Sequence, residues 1–221
     1  MSKDFFKVEK AKSIAVSFQE ATNSWKLTRE TESGEWKLAD AKPEEQLDAG
    51  KTSSFSYALS SPSFNDIIVG TSPEQTGLDK PTTIKLETFD HFTYSIAVGA
   101  KTNDNVHLTV AVAADFPKER TPGKDEKPED KEKLDKEFKE KTDKLSEKLR
   151  NEKALEGRVF QVTKWTLDSL FKKRGELLKE AKKEESGSAA TPATSAPPPV
   201  NPVDVTVPPL PPQLPAGDDE E

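Results

Sequence analysis

Apolar and polar residues alternate with a period of two in several short stretches of this chain, the pattern of strands with one face buried. Ile14, Val16 and Phe18 do so within SIAVSF, followed by Trp25 and Leu27 and then Trp36 and Leu38 in WKLTRETESGEWKL. A hairpin with its tip at Glu30 to Ser33 pairs the two WKL arms, setting Leu27 opposite Trp36 and Trp25 opposite Leu38. The four apolar side chains then share one face, with Lys26, Thr28 and Lys37 on the other. Gly34 is expected to provide a positive φ in the bulged turn. Two exposed tryptophans that stack a sugar or a base are the rival reading; the register favours core.

After Pro43 the spacing of Leu47, Phe55, Ala58 and Leu59 predicts a weak helix that ends at Pro62. A second strand set follows in TIKLETF, FTYSIAVG and VHLTVAVAADF, with turns at Asp90-His91 and at Thr102 to Asn105: an antiparallel meander. From Pro117 to Arg158 charged residues dominate and the apolar stripe narrows to Leu134, Phe138, Leu145 and Leu149. Glu/Lys pairs at i,i+4 support a helix there. Because the seam meets Glu152 where an apolar residue is needed, the reading is a solvated arm over a coiled-coil docking arm. Val159, Phe160 and Val162 resume the sheet. Thr166 then caps a helix whose buried stripe is Leu167, Leu170, Phe171, Leu177 and Leu178.

The fold class that follows is α+β: two β-β-β-α modules, residues 1–70 and 71–185, with antiparallel sheets and a charged helix at about 124–156 inserted in the second. Residues 186–221 hold ten of the 17 prolines and no lysine or arginine, a composition that predicts a disordered acidic tail. VPPLPPQLP has PxxP spacing, but its neighbours are acidic, so a linker or tail is favoured over a docking motif.

Charge and chemistry narrow the function. The chain carries a formal charge of −7, of which the tail contributes −5, leaving a nearly balanced body without the basic field that nucleic acid or anionic lipid requires. Cysteine is absent, which removes disulfides, thiolate catalysis and Cys-based zinc sites. His91 and His107 lie on different predicted elements and match no short metal spacing, so neither metal nor cofactor is expected. No GxSxG, Walker loop or GxGxxG occurs, and the reading is not an enzyme. No apolar stretch approaches the roughly 20 residues that span a bilayer, and MSKDFFKVEK lacks the apolar core of a secretory signal, so this chain is not expected to insert into a membrane.

The order of elements, with SWKLTRE-x4-EWKLAD, GLDKPTTIKL, FTYSIAVG and VFQVTKWTLDSLFKKR, resembles the bacterial family called domain of unknown function 4340 over roughly residues 5 to 180. The resemblance implies an extracytoplasmic protein, periplasmic or membrane-anchored, with repeated β-β-β-α modules, found beside ABC-type transporters of the gliding-motility kind. It also implies protein partners in a transport or envelope complex; the oligomeric state is left open. The chain departs from the family in its charged arm and in lacking an N-terminal anchor, as a mature or excised fragment would. The alternative is a ligand-binding module for a glycan or lipid, with an aromatic groove between the modules. Trp25, Trp36 and Trp165 are the candidate interaction residues, and burial separates the readings: an accessible tryptophan beside a pocket favours a ligand, three buried ones favour a scaffold.

Overall fold

The computed structural model describes residues 5–102, 104–123 and 127–179. The tail at 186–221, with its PxxP spacing, lies outside them. The strands are β1 (Ala11–Ser17), β2 (Trp25–Thr28), β3 (Lys37–Leu38), β4 (Asp66–Ile68), β5 (Thr82–Thr88), β6 (Phe92–Thr102), β7 (Asn105–Ala114) and β8 (Val159–Thr163). All pairings are antiparallel, and the eight form a single sheet in the order β3-β2-β1-β5-β6-β7-β8-β4. The expected pair of sheets is therefore one. The join is β1 against β5, where Ile14 faces Leu86 and Val16 faces Ile84, so the two strand sets present their apolar faces on the same side. Strands as short as β2 and β3 cannot cover a core alone, and fusing with the meander gives them one. β4 departs furthest from the modular expectation. It crosses to the opposite edge and pairs with β8, Ile67 against Phe160.

Even-numbered positions of β1, β5, β6, β7 and β8 supply the buried face, among them Ile14, Ile84, Tyr94, Ile96, Leu108 and Phe160. Each large apolar side chain removed from water contributes about 1.5–3 kcal/mol, so this face dominates the stability. Three segments cover it together with the second half of the charged helix described below. Phe5, Phe6 and Val8 come from the N-terminus, where the rings of Phe5 and Phe160 lie 4.9 Å apart. Phe55 and Leu59 come from the region of α1 (Ala49–Thr52) and the 3-10 turn Ser53–Tyr57. Leu167, Leu170 and Leu177 come from the last segment.

In the two predicted helices the buried residues are as expected, but the backbone is not one continuous helix. The first is α1 followed by a 3-10 turn. The second is the turns Lys164–Thr166 and Asp168–Phe171, an extended Lys172, then α4 (Arg174–Leu177). Each must follow the twist of the sheet beneath it, and Gly50 and the serines offer little intrinsic helicity to resist that.

Between β4 and β5 lies α2 (Pro73–Thr76), which the sequence reading passed over although its signals were present: Ser72 as N-cap, Pro73 at the first position, Gln75 closing a capping box and Gly77 at φ 71° ending the helix. The Ser72 N–H donates to Gln75 Oε1 at 3.0 Å. The last turn of α2 packs so closely on β6 that a Cβ at Gly99 would collide with the Thr76 carbonyl oxygen. Gly99→Ala should therefore cost about 1–3 kcal/mol through forced displacement of α2, read as a lower urea midpoint at unchanged m-value. A midpoint equal to wild type would show that α2 can lift off freely.

α3 (Pro128–Lys153) lies within the expected charged arm and corrects its reading. Its first half is mostly solvated; among the described residues Leu134 and Phe138 are half-covered there. In its second half Leu145 and Leu149 pack against the core, and Glu152, the residue that seemed to end the seam, is 6% exposed. Glu152 Oε2 accepts from the Tyr94 hydroxyl at 2.8 Å and Oε1 from the Lys7 N–H at 2.9 Å. Lys148 reaches Glu9 at 2.9 Å and Lys141 reaches Asp90 at 2.8 Å. Just beyond the helix Glu156 accepts the Val112 N–H at 2.8 Å, on the part of β7 that extends past its pairing with β8. The second half of the arm is docked on the sheet, and the first is held by the pair between Arg120 and Asp135 at 2.8 Å.

Candidate functional site

The connection between β2 and β3 builds a polar site around Arg29. Leu27 pairs with Leu38 and Thr28 with Lys37, so the register is shifted by two from the expected one while Trp25, Leu27, Trp36 and Leu38 still share the buried side. The cause is Arg29. Alternation continued from Trp25 and Leu27 places residue 29 inward, and its guanidinium needs polar partners there. Nε donates to the Ala11 carbonyl at 2.6 Å, Nη1 donates to Ser56 Oγ at 3.0 Å, and the guanidinium carbon sits 4.7 Å from the Trp36 ring. Trp36 leaves the ladder to lie on that guanidinium, which lengthens the loop. Its Nε1–H donates to Ser56 Oγ at 3.3 Å. Gly34 has no positive φ; it is needed for space, because a Cβ would press on Thr31.

Around these residues is a cleft of about 700 Å³, lined by Lys10, Arg29, Glu32, Trp36, Ser56 and Tyr57 among others. Lys10, itself at φ 52°, is shared between Glu32 at 3.5 Å and Asp90 at 3.4 Å. The Asp90 carboxyl is held below the usual range: burial opposes its charge, but the hydrogen bond and charge of Lys141, with Lys10, outweigh that. Arg29 is 6% exposed, Trp36 8%, and Tyr57 stands at the rim 76% exposed.

The other two candidate tryptophans lie elsewhere. Trp25, 3% exposed, stacks on Phe55 with ring centroids 5.2 Å apart and donates Nε1–H to the Lys172 carbonyl at 2.7 Å. It is core. Trp165 is 70% exposed, with Lys164 Nζ 5.0 Å from its ring centroid and Lys164 paired with Asp104 at 2.7 Å. The burial criterion thus splits, with one tryptophan in the core, one forming a cleft wall, and one in solvent. Sequence reasoning passed over Arg29, Ser56 and Tyr57. The period-two continuation to residue 29 was the available signal.

A second polar cluster fastens the end of the described chain. Arg174 donates to both Asp40 carboxylate oxygens at 3.0 and 2.9 Å, and to Glu45 at 2.9 and 2.7 Å. Hydrogen bonding from Arg174, then from the Lys42 N–H, pulls the Glu45 carboxyl down to about 2. This clamp ties α4 to the segment after β3.

Among the described residues no group of three or more His, Cys, Asp or Glu side chains is placed to hold a metal ion. His91 occupies the β5–β6 turn at φ 65°, and His107, on β7, pairs with Gln161 and has a buried Nδ1 without a hydrogen-bond partner. Among the described residues no helix is long and apolar enough to cross a membrane. Neither a protein-family model, nor a curated protein, nor a solved structure matches the chain.

Proposed function

We propose that the protein is a non-enzymatic scaffold or accessory subunit that meets protein partners of an ABC-type transport system in the bacterial envelope, outside the cytoplasmic membrane, as its resemblance to the domain of unknown function 4340 family implies. In this reading the strand sets before and after residue 70 correspond to the two β-β-β-α modules of that family, fused through β1 and β5. One observation carries the proposal: part of the odd-numbered face of the central strands, away from Ser13 and from Gly99 beneath α2, is open. Ser17, Thr83, Lys85, Ser95, Ala111 and Ala113 are all exposed on it, and Lys85, Ser95 and Ala111 stand in register across β5, β6 and β7. Small side chains on a broad, even surface let a partner approach the backbone closely, and their low apolar content leaves the free protein soluble.

Photo-crosslinking amino acids at Ser95 and Ala111 test the proposal in intact cells, with Ser54, exposed on the covering layer, as the control. The face positions should trap a discrete envelope component that the control does not. Identical crosslinking patterns from face and control would refute the reading. The alternative, a module for a glycan or lipid, is favoured by a single feature, the position of Trp36 on the wall of a cleft.

A further inference from the structure

Arg29 is a cation buried without a carboxylate. Among the described residues none lies within ion-pair distance of it, and burial works against its charge with only the longer-range fields of Glu32 and Tyr57 in support. Nε and Nη1 are engaged by the fold, whereas Nη2 has no acceptor and is not sealed from solvent. Arg29 lines the cleft, and among the described residues nothing accepts a hydrogen bond from its Nη2. We propose that this cleft is a binding site for a small organic monocarboxylate, whose carboxylate meets Arg29 and whose flat body lies against Tyr57.

The class of ligand follows from three features. A charged guanidinium N–H binds an oxyanion more strongly than a neutral donor does, and a partly dry cleft strengthens the interaction. The charge to be matched is one. Lys10 is already occupied by Glu32 and Asp90, and Glu32 and Glu35 both line the cleft, so a phosphate dianion would meet repulsion that a monoanion largely avoids. Tyr57 supplies the third feature, an aromatic ring 76% exposed beside the cleft. A volume of about 700 Å³ lies within the range of small-molecule sites. This site is independent of the partner proposed for the open sheet face.

The probes are benzoate, benzyl alcohol and inorganic phosphate, titrated into the full chain while the indole N–H resonances of Trp25, Trp36 and Trp165 are followed by NMR. Benzoate should shift the Trp36 resonance saturably. Benzyl alcohol, which keeps the ring and loses the charge, and phosphate should each bind at least about tenfold more weakly, the loss of one charge-assisted contact. Tyr57→Ala should weaken benzoate several-fold while leaving the resonances of the free protein in place, since the ring is exposed. Arg29→Lys, if it folds, should also weaken benzoate; because Arg29 supports its loop, Tyr57→Ala is the deciding variant. No saturable shift with benzoate, equal affinity for benzyl alcohol or phosphate, or an unchanged benzoate affinity in Tyr57→Ala would each overturn the proposal.

Discussion

Replacing Trp25 with alanine should lower the unfolding free energy by about 3–5 kcal/mol, the range for deleting a buried large aromatic. Trp25 is 3% exposed, its ring lies parallel to Phe55 at 11°, and its N–H holds the Lys172 carbonyl. Truncation leaves a cavity between β2 and the covering layer and strips a partner from that carbonyl. The neighbourhood cannot easily collapse into the space, because β2 is flanked by a strand of only two residues and the segment above is fastened by the Arg174 clamp. Trp25→Phe restores most of the stacking but not the hydrogen bond, and should cost about 1–2 kcal/mol. Trp165→Ala removes an exposed ring and should stay within about 0.5 kcal/mol. Urea unfolding of the three variants, compared at a common m-value, measures the ordering. A Trp25→Ala loss below that of Trp165→Ala would mean that the β2 corner is not part of the cooperative core.

The second large effect belongs to Glu152. Glu152→Ala leaves the Lys7 N–H without its acceptor beneath α3 and the Tyr94 hydroxyl with the Lys7 carbonyl alone, and should cost about 2–3 kcal/mol, in the range for losing a buried charge-assisted hydrogen bond. Glu152→Gln keeps an acceptor for Lys7 and a donor for the tyrosine oxygen, so it should fold with much smaller loss. The two variants differ most informatively in pH dependence. Burial pushes the Glu152 carboxyl above its ordinary 4.5; the Lys7 N–H, the Tyr94 hydroxyl and Lys148 oppose that shift, and Glu9 adds to it. A carboxyl with a raised folded pKa binds its proton more tightly in the folded state. The stability it contributes is complete below 4.5 and disappears as pH rises through the raised value. Wild type should thus lose stability over that window while Glu152→Gln does not. Tyr94 stays protonated throughout, because desolvation, then the nearby Glu152 charge and its hydrogen bond, raise its pKa. Parallel unfolding curves for wild type and Glu152→Gln from pH 4 upward would show that Glu152 is ionised without penalty.

Where the pattern is local, the sequence anticipated the structure closely. The meander of β5, β6 and β7, with turns at Asp90-His91 and near Thr102 to Asn105, follows from strict alternation between short turns, in which each residue's face depends only on its own neighbours. The shared burial of Trp25, Leu27, Trp36 and Leu38 follows from the same rule, and the choice of Leu167, Leu170 and Leu177 for the core follows from helical spacing. Even Arg29 and α2 were legible, the first as the next inward position after Leu27 and the second as SPEQTG between its caps.

Long-range choices were not legible. A two-residue register shift keeps every side chain on its face, so alternation alone could not separate Leu27 opposite Trp36 from Leu27 opposite Leu38; the inward guanidinium of Arg29 and its stacking with Trp36 decided it. Asp66–Ile68 carries too little pattern to reveal a partner strand, and the exposed edge of β8 selected it. Glu152 looked like the end of an apolar seam, because a sequence cannot show that a tyrosine hydroxyl and a backbone N–H from distant segments will converge on it. The sequence by itself determined the alternating strands, which of their apolar residues are buried and the chemistry of the charged helix, since periodicity and composition act through nearest neighbours. Only the tertiary structure decided that two strand sets form one sheet, that the helix docks by its second half and that Arg29 is left facing a cleft, because each depends on free energy gained when residues far apart in the chain exclude water from a common surface.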